Sequence, residues 1–130
     1  MLVVDASVAF LACSSPEGFV PFGREQLVAP SLMWSEVRSS LHEARWRGEV
    51  TDEQATAAVA ALDASPIRLR THKRLGPEAW RIADELGWAK TYDAEYVALA
   101  SLLGCRLVTV DTRLRRATGR LGYVIGPSEL

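Results

Sequence analysis

Leu2 to Val4 is a short, unbroken apolar run that stops at Asp5, the pattern of a strand covered on both faces in a parallel sheet. Ala6 to Ala12 continue as a small-residue helix, and Ser14 to Gly18 read as a loop. Leu27 to Ala29, halted by Pro30, offers a second brief strand. Ser31 is placed to cap a long helix whose apolar face takes in Trp34, Val37, Leu41 and Ala44, with Gly48 as its end. Thr51 and Gln54 have capping-box spacing and open an alanine-rich helix running to about Ala64, where Ser65-Pro66 breaks it. Ile67 to Arg70 alternates apolar and basic, as a partly exposed strand does.

Gly76-Pro77-Glu78 marks another helix start, closed by Gly87. Thr91 is the expected cap of a helix from Tyr92 to Leu103 that Gly104 ends. Ala94, Val97, Ala98, Leu99, Ala100 and Leu102 make this helix apolar on most sides, so it belongs near the centre. Leu107 to Val110 is a strand running into Asp111, and Tyr123 to Ile125 is a last short one. Short strands alternating with helices predict a three-layer α/β/α domain around a parallel sheet. No linker, repeat or low-complexity tract divides residues 1–130, so one domain is expected.

An apolar fraction of 48% in 130 residues is enough for a packed core and excludes a disordered chain. Fifteen basic against sixteen acidic residues give a net charge of −1, so attraction to a polyanion has to come from local patches. Cys13 and Cys105 lie in apolar surroundings without metal-ligand spacing and read as small buried hydrophobes of a reducing compartment. The N-terminal apolar run contains an Asp and lacks a basic lead, and no apolar stretch has the length of a membrane span. A cytoplasmic protein with no membrane association is expected.

Four acids stand out by position. Asp5 and Asp111 end strands, at the edge of a parallel sheet where ligands bind. Asp93 falls in the first turn of the central helix and Glu36 about one and a half turns into the helix after the second strand. Taken singly, Asp5 and Asp111 are equally well read as helix caps, Asp93 as a first-turn charge and Glu36 as a solvated helix face. Taken together they change the picture, because two carboxylates about 4 Å apart repel by roughly 4 kcal/mol at an effective dielectric of about 20. A convergent group of four needs protons or a cation at neutral pH, and an all-oxygen donor set suits Mg²⁺ or Mn²⁺. Such an ion activates water and stabilises charge in displacement at phosphorus. Ser7, Thr109 and Thr112 are near enough in sequence to steady a carboxylate.

Basic residues gather at Arg68, Arg70, Lys73 and Arg74, beside His72, and again at Arg113, Arg115, Arg116 and Arg120. They are either solvated faces or contacts for a nucleic-acid backbone, with Arg68, Arg70, Lys73, Arg74, Arg113 and Arg116 the candidates for RNA. Trp34, Trp46, Trp80 and Trp88 are candidates to stack bases, though Trp34 and Trp80 fit better in a core or interface.

The segments Val3 to Val8, Ala29 to Val37, Tyr92 to Ala100 and Leu107 to Asp111 resemble, in this order and at these separations, the PIN-domain ribonucleases. Within them the chain is most similar to the VapC-type toxins of bacterial toxin–antitoxin pairs. The resemblance covers essentially the whole chain. It implies about five parallel strands between helices, metal-binding roles for Asp5, Glu36, Asp93 and Asp111, and hydrolysis of RNA with Mg²⁺ or Mn²⁺. It further implies a homodimer silenced by a VapB-type antitoxin whose C-terminal segment lies over the acids. Many relatives carry another Asp and an aromatic just after the fourth acid, where this chain has Arg113 and Leu114; that departure bears on a second metal. Two alternatives stay open: a phosphoryl-transfer enzyme of related topology, against which Ser7 stands where a second Asp would be needed, and a PIN fold that only binds RNA or a partner protein.

Overall fold

The computed structural model describes residues 1–130. Its strands are β1 (Leu2–Val4), β2 (Leu27–Ala29), β3 (Arg68–Leu69), β4 (Arg106–Val108) and β5 (Val124–Ile125). Its helices are α1 (Ala6–Ser14), α2 (Leu32–Trp46), α3 (Asp52–Asp63), α4 (Leu75–Leu86), α5 (Tyr92–Leu103) and α6 (Thr112–Ala117). All neighbouring strands pair in parallel, in the order β3-β2-β1-β4-β5. Parallel pairing forces each strand to be followed by a crossover, and the helices that make the crossovers cover both faces.

β1 is the middle strand, and Leu2, Val3 and Val4 are completely buried. Its register with β4 sets Val4 opposite Val108, so the residues after both strands leave the sheet side by side. α5 has Ala94 and every residue from Tyr96 to Ala100 buried, which accounts for its nearly unbroken apolar sequence. α1, α2 and α3 pack on one another, while α4 and α5 form a hairpin joined at residues 87–91. Gly87 and Gly104 close α4 and α5 in the left-handed conformation, at φ 70° and 65°, where a side chain would clash with its own backbone.

Local chemistry accounts for most boundaries. Thr51 and Gln54 exchange both hydrogen bonds of a capping box at the head of α3. Asp5 and Asp111 cap α1 and α6, so the modest reading of each as a cap is true whatever else it does. The expected caps at Ser31 and Thr91 do not form: both residues are already in helical geometry and neither side chain accepts a capping bond. α1 runs on to Ser14, and a single 3₁₀ turn at Val20–Phe22 follows, burying Phe22 where only a loop was expected. β3 is shorter than its alternating sequence suggests, and Leu69 is exposed. Trp80 is exposed rather than in the core, Trp46 is more exposed still, and Trp34 is half-buried against the core. Both cysteines are free, Cys13 buried and Cys105 half-buried. No helix is long and apolar enough to cross a membrane.

Candidate active site

Asp5 follows the central strand and is only 5% exposed. One carboxylate oxygen accepts from the Ser7 hydroxyl at 2.6 Å and the Val8 amide at 3.0 Å; the other accepts from the Thr109 hydroxyl at 2.5 Å. Thr109 follows β4 in the sheet and in turn accepts from the Asp111 amide at 3.0 Å. The end of one strand thereby fixes the acid of its neighbour and begins the turn that presents Asp111. The Asp111 carboxylate accepts from the amides of Arg113 and Leu114 at 2.9 and 3.2 Å. The hydroxyl of Thr112 is exposed and stands outside this network.

Glu36 reaches the same edge from α2, where Met33, Val37 and Leu41 anchor the helix in the core. Its carboxylate accepts from the Tyr96 hydroxyl at 2.6 Å. Tyr96 is 1% exposed and sits one helical turn after Asp93. Its part in the site is not evident from the order of residues alone. Its i+3 spacing from Asp93 on a nearly all-apolar helix was the available signal, since a buried tyrosine hydroxyl needs a partner.

Mutual repulsion is visible in the acidities. Burial raises the Asp5 carboxyl above its ordinary range against the pull of its three donors, and the Asp111 charge adds to the rise. Glu36 is raised by burial and by the charges of Asp93 and Asp5, with the Tyr96 bond opposing. Asp93 is raised by burial and by Asp111, with Arg113 opposing. The Tyr96 hydroxyl is driven far up by burial and by its bond to Glu36, so it stays a donor. Asp5, Glu36 and Asp93 therefore each sense at least one other acid.

The four are grouped but not collapsed onto a point. No three His, Cys, Asp or Glu side chains stand close enough to ligate one ion as they are placed. The reason lies in their partners. Asp5 is turned into its cap, Glu36 is held by Tyr96, and the Arg113 guanidinium lies 4.0 Å from Asp93 and 3.5 Å from Asp111. An all-oxygen set spaced in this way fits a small hard cation that keeps several of its waters and takes one or two carboxylates directly. It does not fit an all-protein cage.

The expected RNA contacts divide. Arg113 stands among the acids. Arg70 turns to the opposite edge of the sheet, reaching the sulfur of Met1 at 4.0 Å. Arg74 precedes α4, whose first turn shares the surroundings of Tyr123 with Ser101 at the far end of α5. None of Arg68, Arg70, Lys73 and Arg74 pairs with one of the four acids; Arg113 alone does. Arg116 is exposed on α6.

A cleft of about 490 Å³ opens beside the acids. Glu36, Asp93 and Arg113 border it on the acid side, and Trp88, Lys90 and Tyr92 from the α4–α5 connection line the rest.

Comparison with known proteins adds an independent line. The family model for the PIN domain matches residues 2–120. VapC ribonuclease Mb0985 of Mycobacterium bovis is 33% identical over 115 residues, 88% of each chain. Ribonuclease VapC1 of Mycobacterium tuberculosis is 38% identical over 92 residues, 70% of this chain and 67% of that one. The crystal structure of PAE2754 from Pyrobaculum aerophilum superposes with a TM-score of 0.77 at 28% identity, covering 98% of this chain and 91% of the other.

Proposed function

This chain belongs to the PIN domain family, among relatives of the VapC ribonuclease group, and on that premise we propose that it is the endoribonuclease toxin of a toxin–antitoxin pair. It hydrolyses RNA phosphodiesters with Mg²⁺ or Mn²⁺ held by Asp5, Asp93 and Asp111, with Glu36 completing the site. The observation that carries this reading is the charge grouping at one sheet edge: Asp5, Glu36 and Asp93 are each made harder to ionise by burial and by a neighbouring acid. A native state that keeps such repulsion is best explained by a cation that relieves it.

When bound, the ion supplies a water of lowered pKa and charge stabilisation at phosphorus. The protein's own groups do the rest. Ser7, Val8 and Thr109 hold the Asp5 carboxylate in one orientation at the end of β1, where it would take the ion directly or through one of its waters. Tyr96 occupies one oxygen of Glu36 and leaves the other to orient the attacking water and take its proton, a role suited by a carboxylate that burial makes more basic than usual. Hydrolysis forms a new oxygen–phosphorus bond, breaks the bond to one ribose oxygen, and leaves that oxygen protonated. Arg113, paired loosely with two acids and largely exposed, is free to swing toward a phosphate.

The same reading makes the protein a cytoplasmic homodimer, silenced by a VapB-type antitoxin laid over the acids. The antitoxin-free protein is expected to cut single-stranded RNA in Mg²⁺ or Mn²⁺, to stop on addition of a chelator, and to recover when metal is restored, as followed by gel electrophoresis. Cleavage at an undiminished rate in chelator would remove the metal from the mechanism.

A further inference from the structure

We propose that the cleft between the α4–α5 connection and α6 is a subsite for one unpaired nucleotide of the RNA, next to the scissile phosphate. The proposal rests on the ribonuclease reading and adds where the substrate's base goes. Three features of the cleft converge. Its volume, about 490 Å³, is in the range that holds a small ligand. Its wall offers two aromatic side chains of different character. Trp88 is half-buried and packed against the core, and its amide is bonded to the Ala83 carbonyl at 2.8 Å across the end of α4, so its indole is a fixed surface. Tyr92 is 58% exposed at the head of α5 and directly precedes Asp93. Its cations, Lys90 and Arg113, are both exposed, and Arg113 already touches the acids.

Aromatic faces with cations at one end and metal-seeking acids beside them match the parts of a nucleotide: a base to stack and a phosphodiester to neutralise. None of the basic residues from Arg68 to Arg74 lines this cleft. The cleft brings no Asn, Gln, Ser or Thr side chain to its wall. It therefore grips a base by its face with little reading of its edge, and it excludes a base that is paired in a duplex.

Binding is measured by fluorescence anisotropy of an end-labelled single-stranded oligoribonucleotide on the Asp5→Asn protein, which does not consume it. Tyr92→Ala is expected to weaken binding by about 5- to 150-fold, the scale of one lost stacked base. Lys90→Ala is expected to reduce the slope of log affinity against log salt by about 0.7. Trp46→Ala and Trp80→Ala remove exposed aromatics that do not line the cleft, and should leave affinity unchanged. A fully paired duplex of the same sequence should bind several-fold more weakly and not respond to Tyr92→Ala. Trp88→Phe, which preserves packing, gives a second probe of the wall. The subsite is overturned if Tyr92→Ala and Trp88→Phe both bind as the parent does, or if Trp46→Ala and Trp80→Ala cost as much. Cleavage by the wild type with binding indifferent to both Tyr92→Ala and Trp88→Phe would reject the subsite alone; binding dependent on Tyr92 without cleavage would reject the nuclease alone.

Discussion

Asp5→Asn is expected to fold as the wild type does and to cut RNA more slowly by at least about 10²–10³-fold, the scale on which one preorganised charge-stabilising group acts. The substitution keeps the cap, because the amide oxygen still accepts from the Ser7 hydroxyl and the Val8 amide. On the other side an NH₂ replaces an acceptor facing the Thr109 hydroxyl. That hydroxyl then accepts instead and turns its proton to Ser7, whose oxygen lies 3.3 Å away. The rearrangement costs about 1 kcal/mol, the value of a single hydrogen bond or cap. A cap alone predicts a modest stability loss and full activity; a charge placed for catalysis predicts the same small loss with activity gone. Rates from a time course on a defined RNA, with urea unfolding alongside, separate the two. Wild-type cleavage by the folded variant would leave Asp5 as a cap and nothing more.

Mn²⁺ should raise the melting temperature at neutral pH by roughly 10 °C once its concentration is about a hundredfold above its dissociation constant. That corresponds to about 2.7 kcal/mol of linkage in a domain of this size. The sign follows from the acids. Asp5, Asp93 and Glu36 have native pKa values above the ordinary 3.8 and 4.5. The native state therefore binds more protons than the unfolded one between the ordinary and the raised values, and stability falls as pH rises through that window. Above it the repulsion is fully present, and a cation can remove it; below it protons have already done so. The stabilisation by Mn²⁺ should therefore shrink to nothing near pH 4. Glu17, Glu78 and Glu129, held low by Ser15, Arg81 and the Gly126 amide, contribute with the opposite sign and lose that contribution only at lower pH. Asp93→Asn should melt higher than the wild type without metal and respond little to Mn²⁺, the mark of a site kept at the expense of stability. A lower metal-free melting temperature for Asp93→Asn, with an intact Mn²⁺ response, would contradict the assignment.

Elements governed by local rules were readable from the chain. β1 and β2 occur where uninterrupted apolar runs placed them, and α5 where a helix apolar on most sides was expected, because burial on most sides leaves few polar positions to mislead the pattern. The capping box at Thr51 and the glycine ends at Gly87 and Gly104 followed from short-range geometry alone. Ser31 and Thr91 failed as caps for a reason no residue type reveals: the preceding backbone enters each helix already wound. The strand-end acids were legible because parallel topology dictates where a residue after an apolar run emerges. What joins them was legible only in part: Ser7 and Thr109 stood out as supports for a carboxylate, but which acid each reaches did not. The Thr109 bridge to Asp5 spans 104 positions and the Tyr96 bond to Glu36 spans 60, and both depend on strand order and helix rotation. The basic segment from Arg68 to Arg74 looked like a counterpart to the acids in sequence, yet it follows the outer strand β3, two strands from β1, and none of its side chains pairs with them. Trp88 was legible as a stacking candidate, whereas Lys90 and Tyr92 carried no signal, because the α4–α5 connection shows its inward side only once the hairpin is docked.

The central claim is that these carboxylates share a cation, and crystals soaked in Mn²⁺ and measured for anomalous scattering address it directly. A peak bounded by Asp5, Asp93 and Asp111, with the Arg113 guanidinium displaced from them, is the predicted result. Saturating Mn²⁺ that leaves this edge without a peak, Arg113 still beside Asp93 and Asp111, would contradict it.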